Sequence, residues 1–390
     1  MSNLTSWREL SVDDLCLRVT SGGTPKRTVP EYYSPATIPW VKTGDLLDTY
    51  VSSYSEYISD RGLQESSAKI LPADTVLMAM YGATVGALGI LSEEATCNQA
   101  SCALITDPEV CNPRWLFYAL LNGRNYIVSQ ATGAAQQNLS GKTIRQFRFL
   151  TPPISEQHAI AEVLGALDDK IAANSRVVAH SDELSQAIFR SALTGNSQML
   201  PLSSIADFVN GRAFTKNASG TGRVVIRIAE MNSGIGTSTV FNDIEVDEKH
   251  IARPGDILFA WSGSLTLQRW FRPEGIVNQH IFKVIARDRN PNWLVYELLR
   301  EKLGYFKRVA ANKATTMGHI QRKDLDELVP VPDDASQKHI SEQMDALWNT
   351  MLNAEQESLQ LADTRDALLP QLMSGKLRVR DAEAVVEDVL

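Results

Sequence analysis

Pro152-Pro153-Ile154-Ser155-Glu156-Gln157-His158-Ala159-Ile160 marks a change of structure within a few residues. Proline disfavours the helical conformation in the residue before it, so the pair closes whatever precedes it, and Ser155 is placed to cap a helix that follows. Beyond it, apolar residues stand at Ile160, Leu164, Leu167 and Ile171, alternating steps of four and three. That is the spacing of a coiled-coil seam; Val178, Leu184 and Ile188 extend it less regularly, and Gly195 supplies a stop. The device returns 180 positions later as Pro332 with Gln337, then Ile340, Met344, Leu347 and Met351. Here Asp333-Asp334 stands near the start, Leu361, Leu368 and Leu372 follow along the face, and Gly375 ends it.

The same offset relates the rest of the chain. Asn98-Gln99 recurs as Asn278-Gln279, and, with small gaps, Pro72-Ala73-Asp74 returns as Pro254-Gly255-Asp256. Asn112-Pro113-Arg114-Trp115-Leu116-Phe117-Tyr118 returns as Asn290-Pro291-Asn292-Trp293-Leu294-Val295-Tyr296. One unit is written twice. Its first part reads as mixed strand, turn and short helix. Thr75 to Met80 forms a buried strand, Asn112-Pro113 starts a helix, and Ser21-Gly22-Gly23-Thr24-Pro25 is a turn cluster. Its second part is the long helix. Neither helix buries its stripe alone, so the two are expected to pair antiparallel and hold two α+β globules apart on a rod of roughly 60 Å at 1.5 Å per residue.

The 390 residues, 44% apolar and 22% charged, suit an ordinary soluble protein of several domains. The amino terminus lacks a secretory pattern, which points to the cytoplasm. Thr75 to Ser92 carries no charge and is near the length of a membrane span. Its glycines at 82, 86 and 89, and Gln268 and Arg269 in the second copy, favour buried strands and no membrane association. The cysteines, Cys16, Cys97, Cys102 and Cys111, have no counterparts in the second copy, so neither disulfides nor a structural metal belongs to the repeated design.

The net charge of −8 is unevenly spread. Residues 1–152 carry 12 basic and 14 acidic side chains, 153–198 carry 3 and 6, 199–332 carry 18 and 14, and 333–390 carry 5 and 12. The negative charge lies mostly on the helices, and the second globule is basic. Arg300, Lys302, Lys307, Arg308, Lys313, Arg322 and Lys323 crowd into 24 residues, a cluster suited either to phosphate or to a solvated helix face. The acidic stretch after Arg380 reads as a frayed terminus.

Taken together, Pro152 to Ile160, Leu372-Met373-Ser374-Gly375-Lys376-Leu377 with its echo Leu193-Thr194-Gly195, and Ser21 to Pro25 followed by Ile38-Pro39-Trp40-Val41 resemble the specificity subunit of type I restriction–modification systems over essentially the whole length. The second copy departs from the pattern at Val331 to Gln337, without the double proline, and at Val209 to Phe214. The resemblance implies an α+β fold of two tandem target-recognition domains, related by a pseudo-twofold repeat. These would occupy 1–152 and 198–332, with long helices at 153–197 and 333–377 forming an antiparallel coiled coil and an acidic tail at 378–390. It implies that each domain reads one half of a split, asymmetric double-stranded DNA site, while the helices set the spacing and dock two modification subunits that methylate adenine. Restriction subunits, acting as translocase and nuclease, would complete the assembly. S-adenosylmethionine, Mg and ATP would sit on those partners, and this chain would bind no cofactor and perform no chemistry.

Candidate DNA contacts are polar and basic residues on loops. In the first copy these are Thr24, Lys26, Arg27, Lys42, Tyr81, Gln136, Gln137, Asn138 and Lys142; in the second, Arg212, Lys216, Arg227, Ser262, Lys313, Thr315, Thr316, His319 and Lys323. Gln and Asn pair bidentately with adenine and Arg with guanine, whereas Lys mostly meets phosphate. Asn98-Gln99 and Asn278-Gln279 read instead as buried strand residues. Against an enzyme stand the lack of a Gly-x-Gly-x-x-Gly run and of an aminomethyltransferase tetrad, and Gly141-Lys142-Thr143 has Gln136 where a phosphate loop needs glycine. A scaffold binding proteins or glycans through two duplicated domains is the remaining alternative.

Overall fold

The computed structural model describes residues 6–132, 138–287, 290–312 and 319–390. Its contacts divide the chain into two compact units, Met1–Lys170 with Leu361–Leu390, and Ile171–Gln360. The division cuts both long helices, Ile154–Leu193 and Asp334–Met373, within their length. Each unit therefore holds one globule, the first part of the helix that follows it, and the last part of the other helix.

In the first unit a five-stranded sheet runs in the order Cys16–Ser21, Ser101–Thr106, Val76–Ala79, Leu88–Leu91, Thr49–Val51. A smaller sheet joins Tyr57–Ile58, Ile38–Val41 and Thr96–Cys97. The uncharged stretch after Thr75 makes two of the central strands, and every residue of both is buried, which accounts for its lack of charge. Val41, Leu71, Leu77, Leu91, Cys97 and Ala103 pack in one core with them. The second unit repeats the plan. One sheet orders Ala206–Asn210, Ile281–Ala286, Ile257–Ala260, Leu267–Arg269, and the other orders Phe241–Asn242, Arg223–Ile226, Gly275–Val277, Ile251–Ala252. In each globule a two-stranded ribbon joins its first and last strands, Arg8–Ser11 with Arg148–Thr151 and Ser197–Pro201 with Leu328–Pro332.

The recurrence of proline with glutamine five residues later has a direct cause. Gln157 Nε2 donates to the Pro152 carbonyl at 3.0 Å, and Gln337 Nε2 donates to the Pro332 carbonyl at 2.7 Å. Each glutamine thus ties the start of its helix to the strand that leads into it. Ser155 is not the cap. The helix begins at Ile154, and the Pro153 carbonyl already accepts from Glu156 and Gln157 N–H at 2.9 and 3.0 Å. In the second copy Asp333 fills the capping position, its Oδ1 accepting from Ser336 N–H at 2.8 Å.

The long helices pair in both units. In the second, Asn174 Nδ2 donates to Glu357 Oε2 at 2.7 Å and Ser185 Oγ lies 3.9 Å from Met344 Sδ, so one segment ascends as the other descends. In the first, Arg365 bonds Asp168 at 2.7 Å, and Asp168 also accepts from the Tyr118 hydroxyl at 2.5 Å. Ile160, Leu164 and Leu167 are buried as the seam requires. Farther along, Leu184 is 52% exposed, and the buried positions are Asn174, Ser185 and Phe189. The three-and-four spacing continues through polar residues, which an apolar pattern alone does not reveal.

The acidic terminus is not frayed: Val379–Glu387 forms a helix, with Ala382 and Val386, four apart, buried on one face. Among the described residues no helix is long and apolar enough to cross a membrane, and no group of three or more His, Cys, Asp or Glu could hold a metal ion.

Candidate nucleic-acid interface

Strand register brings most of the described first-copy candidates to one end of the larger sheet. Ser21 pairs with Cys102 and Ala79 with Ser101, so three features leave the sheet together: the loop after Ser21, the turn before Ser101 and the segment after Ala79. Leu139 N–H donates to the Met80 carbonyl at 2.9 Å, and Asn138 bridges to both Tyr81 and Thr132, adding a fourth segment. Thr24, Tyr81, Asn138 and Lys142 therefore converge. A cleft of about 390 Å³ lies there, lined by Thr20, Ser21, Tyr81, Asn138, Lys142 and Arg145 among others.

The second unit builds the same end from the same bonds. Asn210 pairs with Phe282 and Ala260 with Ile281. Ile320 N–H donates to the Trp261 carbonyl at 3.1 Å, and Ser262 bridges to His319, as Tyr81 bridges to Asn138. Arg212 bridges to Asn278. Lys142 and Lys323, both exposed, each stand two residues after the residue that precedes a short helical turn, Ser140 and Gln321 respectively. Thus Arg212, Ser262, His319 and Lys323 gather as the first set does.

The two ends match in backbone and differ in surface. Where the first carries Met80, Tyr81 and Asn138, the second carries Trp261, Ser262 and His319. The Trp261 indole N–H donates to Asn210 Oδ1 at 2.8 Å, and its ring lies 5.1 Å from that of His280 and 6.5 Å from that of His319. The ring is half-buried and also lies 5.8 Å from that of Phe282, so an aromatic cluster braces this end of the sheet where the first copy, among the described residues, has none.

Three basic candidates already have acidic partners. Arg27 bonds Glu56 at 2.9 Å through Nη2 and lies over the rings of Tyr33 and Trp40, and Lys42 Nζ stands 3.2 Å from Glu56. The Arg27 hydrogen bonds hold the Glu56 carboxyl below the usual carboxylate range. Arg227 grips Glu230 through Nε and Nη2 at 3.0 and 2.6 Å. Burial alone would raise the Glu230 carboxyl, but bonds from Arg227 and Thr239 outweigh it and leave it lowered. Lys42 and Arg227 occupy equivalent places, since Asn98 N–H donates to the Val41 carbonyl and Asn278 N–H to the Ile226 carbonyl. In the second copy Glu230 both pairs with the cation and accepts from the Arg227 backbone N–H at 3.0 Å, whereas in the first Glu56 pairs with the cation and Asp45 accepts from the Lys42 N–H at 2.8 Å.

Lys26 and Lys216 are exposed farther along the loops, and Gln136, Gln137, Lys313, Thr315 and Thr316 lie outside the described residues. The basic run from 300 to 323 is divided in role. Arg300 turns inward to Asp182 and Glu297, and Lys302 lies 3.6 Å from Glu327, whereas Lys307, Arg308, Arg322 and Lys323 are exposed. Asn98 and Asn278 bond the backbone as expected, but in turns, and Gln99 and Gln279 beside them are exposed. The signal for this was the repeat itself: a polar pair returning at one offset.

A duplicated globule that presents one backbone frame with two unlike polar ends defines a class of protein that recognises two different features with one design. The type I restriction modification DNA specificity domain matches residues 5–178 and 195–361, and the chain belongs to that family. It is 23% identical to the type I restriction enzyme MjaIX specificity subunit of Methanocaldococcus jannaschii, over 93% of this chain and 92% of that one. It is 26% identical to the EcoR124I/EcoR124II specificity subunit of Escherichia coli, over 38% of this chain and 37% of that one. In fold it resembles the type I restriction–modification S subunit from M. genitalium, with a TM-score of 0.60 and 17% identity over 94% and 96% of the two chains.

Proposed function

We propose that this chain is the DNA-reading subunit of a type I restriction–modification complex, and that each polar sheet end contacts one half of a split duplex site. The observation that carries the reading is the equivalence of the two ends in backbone and their difference in side chains. A shared frame docks on what all duplex has in common, and unlike side chains distinguish unlike base pairs. The paired helices set the unread gap between the half-sites and dock two methyltransferase subunits, with restriction subunits completing the larger assembly. S-adenosylmethionine, Mg and ATP belong to those partners, and the chain contributes recognition without chemistry. Lys142 and Lys323 supply phosphate contacts, one in each copy.

The test is the salt dependence of duplex binding by the full chain with its methyltransferase subunits. Each of Lys142→Ala and Lys323→Ala should weaken binding to every sequence and flatten the slope of log affinity against log salt by about 0.9. Binding that ignores salt would remove the function. An unchanged slope in both variants would remove these lysines from the interface.

A further inference from the structure

We propose that Gln99 and Gln279 are a matched pair of duplex contacts independent of base sequence, each donating its side-chain amide to a phosphate of its own half-site. The inference rests on the DNA-reading function proposed above.

The two glutamines stand at the same point of the same turn, and their neighbours explain why that turn recurs. Asn98 Oδ1 accepts from Ala100 N–H and Ser101 Oγ, both at 3.1 Å, and Asn278 Oδ1 accepts from Phe214 N–H at 3.1 Å. Each asparagine therefore has a task within the fold. The glutamines do not share it. Both side chains are exposed, and among the described residues Gln279 makes no side-chain hydrogen bond. Gln99 accepts from the Thr24 hydroxyl through Oε1, which leaves its NH₂ group as a donor. The Thr24 bond belongs to the first copy alone, so it does not account for the same residue standing in both.

The positions around them do differ. Where the first copy has Tyr81, Asn138 and Ala100, the second has Ser262, His319 and His280. If those differences follow the two unlike half-sequences, the residue that stays the same meets the part of DNA that stays the same. That part is the sugar–phosphate backbone, to which Gln amides donate hydrogen bonds that fix register and carry no sequence information. A base contact is the competing use of a glutamine, through bidentate bonds to adenine. It would require one base common to both half-sites, whereas the phosphate needs nothing in common.

The experiment uses the full chain with its methyltransferase subunits and two labelled duplexes. One carries the site recovered by selection from random sequence, and the other is a scrambled duplex of equal length. Gln99→Ala and Gln279→Ala should each weaken binding to both duplexes by the same factor, about three- to tenfold for one lost hydrogen bond. The salt slope should be unchanged, because no charge is removed. Gln279→Lys should steepen it by about 0.9, because a cation then faces the phosphate. Thermal melting that matches wild type excludes damage to the fold. A change of preference at a single base pair, or affinities equal to wild type, overturns the proposal. Wild-type protein that ignores duplex removes the function and this contact together, whereas wild-type binding with indifferent variants removes the contact alone.

Discussion

Gly22 and Gly211 show how little freedom the loops of the two sheet ends possess. A Cβ on Gly22 would stand 2.0 Å from the Cys97 carbonyl oxygen, and one on Gly211 would stand 2.1 Å from that of Asn278. Neither obstacle is a side chain that can swing away, so alanine must push the loop off the turn that carries the neighbouring glutamine. Gly22→Ala is expected to lose nuclease protection of one half-site and Gly211→Ala of the other, each with a lowered melting temperature. Arg227 gives a second residue-scale prediction. Glu230 is 1% exposed, so Arg227→Ala leaves a carboxyl buried without its cation, at a cost on the order of 3 kcal/mol. The pH dependence should also become shallower. In the wild type the Glu230 carboxyl is held low, so its contribution is present above the ordinary carboxylate pKa and is lost as pH falls through the folded value. Without the Arg227 side chain only the backbone N–H of residue 227 and the Thr239 hydroxyl still hold the carboxyl down against burial, so less stability should be lost as pH falls. Chemical denaturation at several pH values distinguishes the two slopes. At this scale the sequence was only partly informative. Lys142 and Lys323 correspond within one position of the 180-residue offset, but residue type does not separate Arg227, committed to Glu230, from the exposed Arg212.

The long helices are the elements that sequence reveals most directly, because a seam of Ile160, Leu164 and Leu167 and its echo at Ile340 and Met344 leave few other ways to bury a stripe. Their polar stations were not legible. Asn174 and Ser185 take seam positions, while Leu184, although apolar, faces away. A pattern of hydrophobic residues cannot anticipate that a partner helix offers Glu357 opposite Asn174. Buried polar pairs of this kind specify register at some cost in stability. The terminal helix was hidden for the converse reason, since its acidic residues outnumber the two apolar residues that bury it. In the first unit Asp168 receives both Arg365 and Tyr118. Asp168→Ala should therefore destabilise by about 2 kcal/mol, because the Tyr118 hydroxyl and one edge of the Arg365 guanidinium lose their acceptor while Asp366 keeps the cation paired. Asp363→Ala, an exposed change on the same helix pair, should stay within about 0.5 kcal/mol in urea denaturation.

For the whole molecule, the duplication organised the sequence and organises the structure, yet the units do not follow the linear order of segments. Each one borrows part of a helix from the other copy, as Leu361–Leu390 with Met1–Lys170 shows. Nothing in composition announces that exchange; it follows from antiparallel pairing of two helices separated by a globule. The proposed function gives this arrangement a purpose, because two readers joined by stiff helices recognise two short blocks at one fixed separation. Selection of duplexes from a random library by the full chain with the methyltransferase subunits proposed for it, run on the wild type and on a variant with four residues inserted into both seams, tests that claim most directly. The wild type should recover two specified blocks with a constant unread gap. The variant, with each helix longer by about 6 Å, should recover the same blocks with the gap widened by roughly two base pairs. A single continuous site, a gap of variable length, or a gap that the insertion leaves unaltered would contradict the account.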